Sequence, residues 1–200
     1  MARALDTLVA DIRACRLCVE YPQGNPLPHE PRPVLQVSAD ARICIIGQAP
    51  GTKVHLSGQP FTDRSGDRLR EWLGVTTEIF YDPHRFAIVP MGFCFPGQDA
   101  KGGDLPPRRE CAPHWHARLF ALLPKIELTL LVGQYAQKRY LGARAKANLT
   151  ETVAAWRDYG PAAIPLPHPS WRNTGWLKKN PWFESDLLPV LQSRIAGLLK

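Results

Sequence analysis

The sequence predicts an α/β protein of three layers, with helices on both faces of a central, mostly parallel, four-stranded sheet. Three observations carry this. Apolar runs at 41–46, 86–91, 127–132 and 162–166 are short, mostly unbroken and rich in Ile, Leu and Val, as strands buried on both faces are. Helical patterns lie between them, and strand–helix alternation is the pattern of a parallel sheet crossed by helices. The composition is globular, with 44% hydrophobic and 22% charged residues in 200 positions. That is enough chain for one domain over 1–200 with a core of its own.

In chain order, residues 1–19 read as a helix with Leu5, Leu8, Val9 and Ile12 on one face. Residues 20–40 carry Pro22, Pro26, Pro28, Pro31 and Pro33 and read as an irregular, stiff connection, so 1–40 forms an N-terminal helix and Pro-rich lead into the domain. After the first strand, Ser65–Gly74 is a helix with Leu69, Trp72 and Leu73 as its apolar stripe, Ser65 as the starting cap and Gly74 as the end. Gln134–Leu141 and Leu149–Asp158 follow the third strand as helices. The last helix opens at Asn180-Pro181 and is kinked or restarted by Pro189. Its buried face is Leu187, Leu188, Leu191, Ile195 and Leu198.

Lys and Arg outnumber Asp and Glu by 25 to 18, and the net charge of +7 leans toward a polyanionic partner. No apolar run is long enough to cross a bilayer. The first residues, with Asp6 and Asp11, lack the apolar run of a signal peptide. The expectation is a cytoplasmic monomer with no membrane partner.

Five cysteines, an odd count, do not suggest a disulfide framework. Cys15 and Cys18 form a C-x-x-C pair at the end of the first helix, Cys94 and Cys111 lie in a Pro/Gly-rich segment, and Cys44 is inside a strand. Two close thiols and two distant ones can wrap a zinc ion or an iron–sulfur cluster, or can simply be reduced buried thiols.

In open parallel sheets the ligand sits at the carboxyl ends of the strands, and two loops there stand out. Gly47-Gln-Ala-Pro-Gly51 follows the first strand, with glycines that allow a tight turn and close backbone approach. His168-Pro-Ser-Trp-Arg-Asn173 follows the fourth and packs an imidazole, a hydroxyl, an indole, a guanidinium and an amide into six residues.

With these two loops in order, the chain resembles the uracil-DNA glycosylase superfamily, especially its iron–sulfur branches. Those proteins carry a G-E-A-P-G turn, six residues, then G-R-P-F. Here Gly47–Gly51 is followed at the same spacing by Gly58-Gln-Pro-Phe61. Their second motif begins with a histidine after the last strand, as does His168–Asn173. Their cysteines also follow this plan: C-x-x-C, then Cys-x-Pro-Gly, matched by Cys94–Gly97, then a proline-led segment ending in Cys111.

The resemblance implies an enzyme that cleaves the N-glycosidic bond of a deaminated base in DNA, uracil first. The base is met on a single strand or flipped out of a duplex. It implies backbone N–H groups of Gly47 and Gln48 facing a base oxygen, His168 donating to the leaving base, and Phe61 as a stacking platform. Ser170 and Arg172 fall on DNA, and Asn173 either joins them or orients the loop. It also implies a [4Fe-4S] cluster on Cys15, Cys18, Cys94 and Cys111, with zinc or no metal as alternatives.

The departures from the family pattern are as informative. The motif glutamate is replaced by neutral Gln48, which cannot act as a base. One related branch instead uses an Asp in an F-T-G-D-x-S-G segment. Phe61-Thr-Asp-Arg-Ser-Gly66 is similar and one residue shorter, so the water-activating role moves to Asp63. The Asn that reads uracil in the iron–sulfur relatives falls on Pro90, which has neither an amide nor an N–H. That predicts a broader pocket, accepting hypoxanthine or xanthine as well. The missing glutamate also fits a catalytically inactive protein that binds damaged or single-stranded DNA. An unrelated nucleotide hydrolase would need a phosphate-gripping lysine in the first loop, and none is there. His114 and His116 are further candidates as metal ligands, and His55 for DNA contact.

Overall fold

The computed structural model describes residues 2–200. Four parallel strands, β1 (Ile43–Ile46), β2 (Phe86–Ile88), β3 (Leu128–Val132) and β4 (Ala163–Leu166), lie in the order β2-β1-β3-β4. In register, Ile43 pairs with both Phe86 and Leu128, and Leu130 pairs with Ile164. Every residue of β1 is buried, because its alternate side chains enter two different cores. Ile43 and Ile45 face one layer with Leu130, Val132 and Leu166. Cys44 and Ile46 face the other with Ala87 and Leu131. The fold class read from the sequence is the one found.

The first layer holds α4 (Arg64–Leu73), α5 (Thr77–Phe80), α8 (Leu149–Ala154) and α10 (Leu188–Leu198). The second holds α1 (Ala2–Arg13), α6 (Cys111–Phe120) and α7 (Gln134–Leu141). The short helices α2 (Leu17–Glu20), α3 (Thr52–Ser57) and α9 (Thr174–Lys179) sit on the connections. Pro165 is tolerated in β4 because β4 is an edge strand and needs no donor on its open side. The other edge, β2, is covered by the Pro-rich segment. Gln36 and Ile88 exchange backbone hydrogen bonds of 3.0 and 2.7 Å as an antiparallel bridge.

Several sequence expectations are corrected. The first helix ends at Arg13 rather than running to 19. Its last turn tightens through Cys15 N–H to Ile12 O at 3.1 Å, and the chain restarts as the one-turn α2, which turns Cys18 inward. The N-cap of α4 is Asp63, not Ser65. Its Oδ1 accepts from Gly66 N–H at 3.2 Å, and a carboxylate there also suits the helix dipole. The helix read over Leu149–Asp158 divides into α8 and a 3-10 turn, Trp156–Tyr159. A π-turn, Phe183–Leu187, precedes α10, and Pro189 falls in the first turn of α10, where its missing N–H costs nothing. Leu198 is half-buried while Leu187, Leu191 and Ile195 are fully buried. Gly74 ends α4 in the left-handed conformation, as expected.

Sheet order places the topological switch between β2 and β3, on either side of β1. Gly47, leaving β1, therefore opens into the crevice where such folds bind ligands. No helix is long and apolar enough to cross a membrane among the described residues.

Candidate active site

A cavity of about 270 Å³ opens at the carboxyl ends of the strands. The carbonyls of Gly47 and Gln48 accept from Met91 and Gly92 N–H at 2.9 and 3.0 Å, which ties the turn after β1 to the chain leaving β2. The N–H groups of Gly47 and Gln48 have no protein acceptor among the described residues, and both residues line the cavity. The Gln48 side chain reaches away to the Leu105 carbonyl, at a long 3.4 Å.

Phe61 lines the same cavity with φ at 56°, the only non-glycine residue at positive φ among those described. Such a conformation costs about 1–3 kcal/mol and persists only where its surroundings enforce it. Here the Phe61 carbonyl accepts from Tyr81 Oη at 3.0 Å and Arg70 Nη1 at 3.3 Å. A Cβ on Gly66 would lie 1.8 Å from that carbonyl oxygen, so only glycine fits there. The ring packs against Gly47, where a Cβ would sit 3.3 Å from ring atom Cζ. The backbone of Phe61 thus aims its ring at the floor of the cavity. Asp63 follows two residues later and lines the wall, half-buried, with Oδ1 held by the α4 cap.

His168 follows β4 and is half-buried. Burial lowers its pKa, while the charges of Asp63 and Asp104 pull the other way. The net direction is down, so at pH 7 the ring is neutral and keeps one N–H to donate. Its carbonyl accepts from Asn173 Nδ2 at 2.7 Å. Ser170 Oγ accepts from Arg172 N–H at 3.3 Å, and the Ser170 carbonyl accepts from Arg68 Nη1 at 3.0 Å. Ser170, Trp171 and Arg172 line the cavity, and the Trp171 ring is 68% exposed.

Of the residues singled out in the sequence, the cavity gathers Gly47, Gln48, Phe61, Asp63, Pro90, His168, Ser170 and Arg172. It does not gather Asn173. Its amide nitrogen donates to the His168 carbonyl, so Asn173 shapes the loop. Pro90 lines the cavity while its carbonyl accepts from His116 Nε2 at 3.1 Å. His116 Nδ1 accepts from Tyr140 Oη at 2.6 Å, so both ring nitrogens are occupied. His116 is no metal ligand. It is a buried neutral imidazole with its pKa pushed down to about 4, burial being the main cause. His55 packs on His29, ring centroids 4.5 Å apart, and on Phe95, away from the cavity.

Sequence reasoning missed three residues. Arg68 clamps the second loop from α4, and a lone Arg on an amphipathic helix gives no signal of that. Gln98 and Asp104 enter the cavity from the loop between Cys94 and Cys111.

Cys18 and Cys94 pack together around Leu27, and Cys111 Sγ accepts from Phe93 N–H at 3.4 Å. Burial is the main cause that pushes the Cys18 thiol up to about 11 and Cys94 up to about 12; Cys111 is also raised. Cys111 lies in the second core with Cys15 packed against it, whereas Cys18 and Cys94 share the smaller cluster around Leu27. Among the described residues no group of three or more His, Cys, Asp or Glu side chains is arranged to hold an ion. Cys44 is buried in β1, apart from them.

Fold and site together define a doubly wound α/β protein with a binding cavity over its switch point. The family model described as the uracil DNA glycosylase superfamily matches residues 35–192, and the chain belongs to that superfamily. Among solved structures it is similar to a candidate uracil DNA glycosylase from Methanosarcina acetivorans, determined by NMR in solution. The two share 17% identity at a TM-score of 0.46, over 79% of this chain and 93% of that one.

Proposed function

We propose that this protein is a DNA glycosylase that hydrolyses the N-glycosidic bond of uracil, and of hypoxanthine or xanthine, to leave an abasic site. The observation that carries the reading is one cavity lined by His168, by Asp63 and by Gly47 and Gln48, whose backbone N–H groups have no protein acceptor among the described residues.

The base reaches the cavity flipped from a duplex or on a single strand. As the C1′–N bond breaks, its electron pair leaves on the base and positive charge builds on the sugar. The N–H groups of Gly47 and Gln48, with the His168 imidazole N–H, stabilise the anionic base where its charge develops. The free oxygen of Asp63 takes a proton from the water whose oxygen bonds to C1′. Pro90 offers no donor on the base edge, so a purine product of deamination is not rejected there.

By donor chemistry alone, four soft thiols on Cys15, Cys18, Cys94 and Cys111 suit a [4Fe-4S] cluster, with zinc or no metal as alternatives, and their side chains would have to draw together to hold it. Its place would be structural, joining the N-terminal helix to the 94–111 loop. Protein purified without oxygen is expected to be brown, with about four irons per chain. A colourless, iron-free protein of normal fold overturns that part alone.

The glycosylase reading is tested on oligonucleotides carrying one uracil, hypoxanthine or xanthine, with alkali-labile cleavage as the readout. Cleavage at the damaged base is expected for all three. Tight binding with no cleavage of any would instead establish the inactive DNA-binding protein.

A further inference from the structure

The acid missing from position 48 is matched by another inside the same cavity. Asp104 lines it from the loop between Cys94 and Cys111. That loop is folded on itself. Asp99 Oδ1 accepts from the N–H groups of Lys101 and Gly103 at 2.8 and 2.9 Å, and Leu105 N–H donates to the Gly97 carbonyl at 2.9 Å. Gln98 and Asp104 form an antiparallel bridge, and Gln98 Nε2 donates to Asp104 Oδ1 at 3.2 Å.

One oxygen is therefore fixed, and the other points across the cavity wall. A Cβ on Gly51 would lie 3.2 Å from Asp104 Oδ2, so the carboxylate reaches the end of the turn that follows β1 and uses the space a side chain there would fill. The Gln48 side chain heads for the same loop, at the Leu105 carbonyl. His168 feels the charges of both Asp63 and Asp104. Asp104 is open to solvent in the free chain. Bound DNA would cover it and strengthen its field.

We infer that Asp104 is a second catalytic carboxylate, facing the sugar and stabilising the positive charge that develops on it as the base departs. This rests on the glycosylase reading and assigns the division of labour within it. Asp63 handles the proton of water, and Asp104 supplies the charge that the neutral Gln48 does not. A preorganised opposite charge beside a developing cation is the kind of term that dominates such reactions.

The test compares Asp104→Asn with the unaltered protein in two ways. Single-turnover excision is expected to fall about 10²-fold or more, with KM for the DNA nearly unchanged. The second readout needs no catalysis: binding to an oligonucleotide with a cationic pyrrolidine in place of the damaged nucleotide, against one with a neutral tetrahydrofuran. The unaltered protein should prefer the cation, and Asp104→Asn should lose that preference by about tenfold, the scale of one charged contact. Equal weakening on both oligonucleotides, or no change in either readout, overturns the inference. If the unaltered protein excises no base, the glycosylase reading fails and takes this inference with it; if it excises and Asp104→Asn is unimpaired, this inference alone fails.

Discussion

The loop after β1 and the loop after β4 meet over one cavity, but they are held in opposite ways. The first is fixed from within. Phe61 is bent into a costly backbone conformation, with its carbonyl taken by Tyr81 and Arg70 and pressed against a glycine that no other residue can replace. The second is stitched by single hydrogen bonds from Asn173 and Arg68, and its Trp171 stands in solvent. The difference teaches which loop carries precision. On the proposed reading, a stacking platform and a proton acceptor must be placed before substrate arrives, whereas residues that meet DNA can settle against it.

The harshest way to break this comparison is Gly66→Ala. The added carbon meets a backbone oxygen at 1.8 Å, so the Phe61 turn must give way. A loss of about 3 kcal/mol or more in urea unfolding is expected, at the upper end for overpacking, and excision should disappear with it. An unchanged unfolding midpoint would mean that the first loop is not rigid. Asp63→Asn separates chemistry from architecture in the same loop. Asparagine caps a helix as well as aspartate does, so stability should hold while excision falls by about 10²-fold, the size of a lost acid–base term. A harmless Asp63→Asn would remove the residue from catalysis.

Acid probes both loops at once. His168 in the second loop and His116 behind Pro90 are neutral, with pKa values lowered by burial, His116 to about 4. The unfolded chain binds protons on these rings near pH 6.5 and the folded chain does not, so stability is full above that value and falls as pH drops toward the folded pKa. Between pH 6.5 and 5 the loss from His116 should approach about 2 kcal/mol at 1.36 kcal/mol per unit. Urea midpoints at the two pH values measure it, and His116→Phe should reduce the difference. An equal pH dependence in that variant would place the buried proton-free imidazole elsewhere.

What the sequence discloses follows the same divide. The strands were legible because residues buried on both faces must be apolar without interruption, and Ile43–Ile46 and Leu128–Val132 are. His168 and the glycines of the first turn were legible because side chains or backbone needed at a ligand have few substitutes. The cap at Asp63 was misplaced by two residues, since Asp63 and Ser65 are both good caps and only tertiary packing chooses between them. Asp104 was invisible because its position depends on how a Gly-rich loop folds back over Gly51, more than fifty residues earlier, and no periodicity records that. For Asn173 the sequence leaves a DNA contact and a loop-orienting role both open; its bond to the His168 carbonyl is a feature of the folded loop.

Smaller effects are expected where the second loop is loosened. Asn173→Ala removes the bond to the His168 carbonyl, worth about 1 kcal/mol of stability. Excision should fall by about tenfold through a loss of order at His168, with stability lowered by no more than that amount. A loss as large as that of Asp63→Asn would show that the second loop, too, must be preset.

The smallest effect is expected at Gln48, although it occupies the most informative position in the sequence. Its side chain makes one long contact, 3.4 Å to the Leu105 carbonyl, and that contact is open to solvent. What the proposed mechanism uses at this position is the backbone N–H, which any residue but proline supplies. Gln48→Ala should therefore reduce excision no more than about threefold, the worth of a weak exposed hydrogen bond. Parallel single-turnover measurements on Gln48→Ala and Asp63→Asn decide the matter. Equal losses would mean that the carboxamide itself acts on the water or the base, and that the catalytic role had never left the turn after β1.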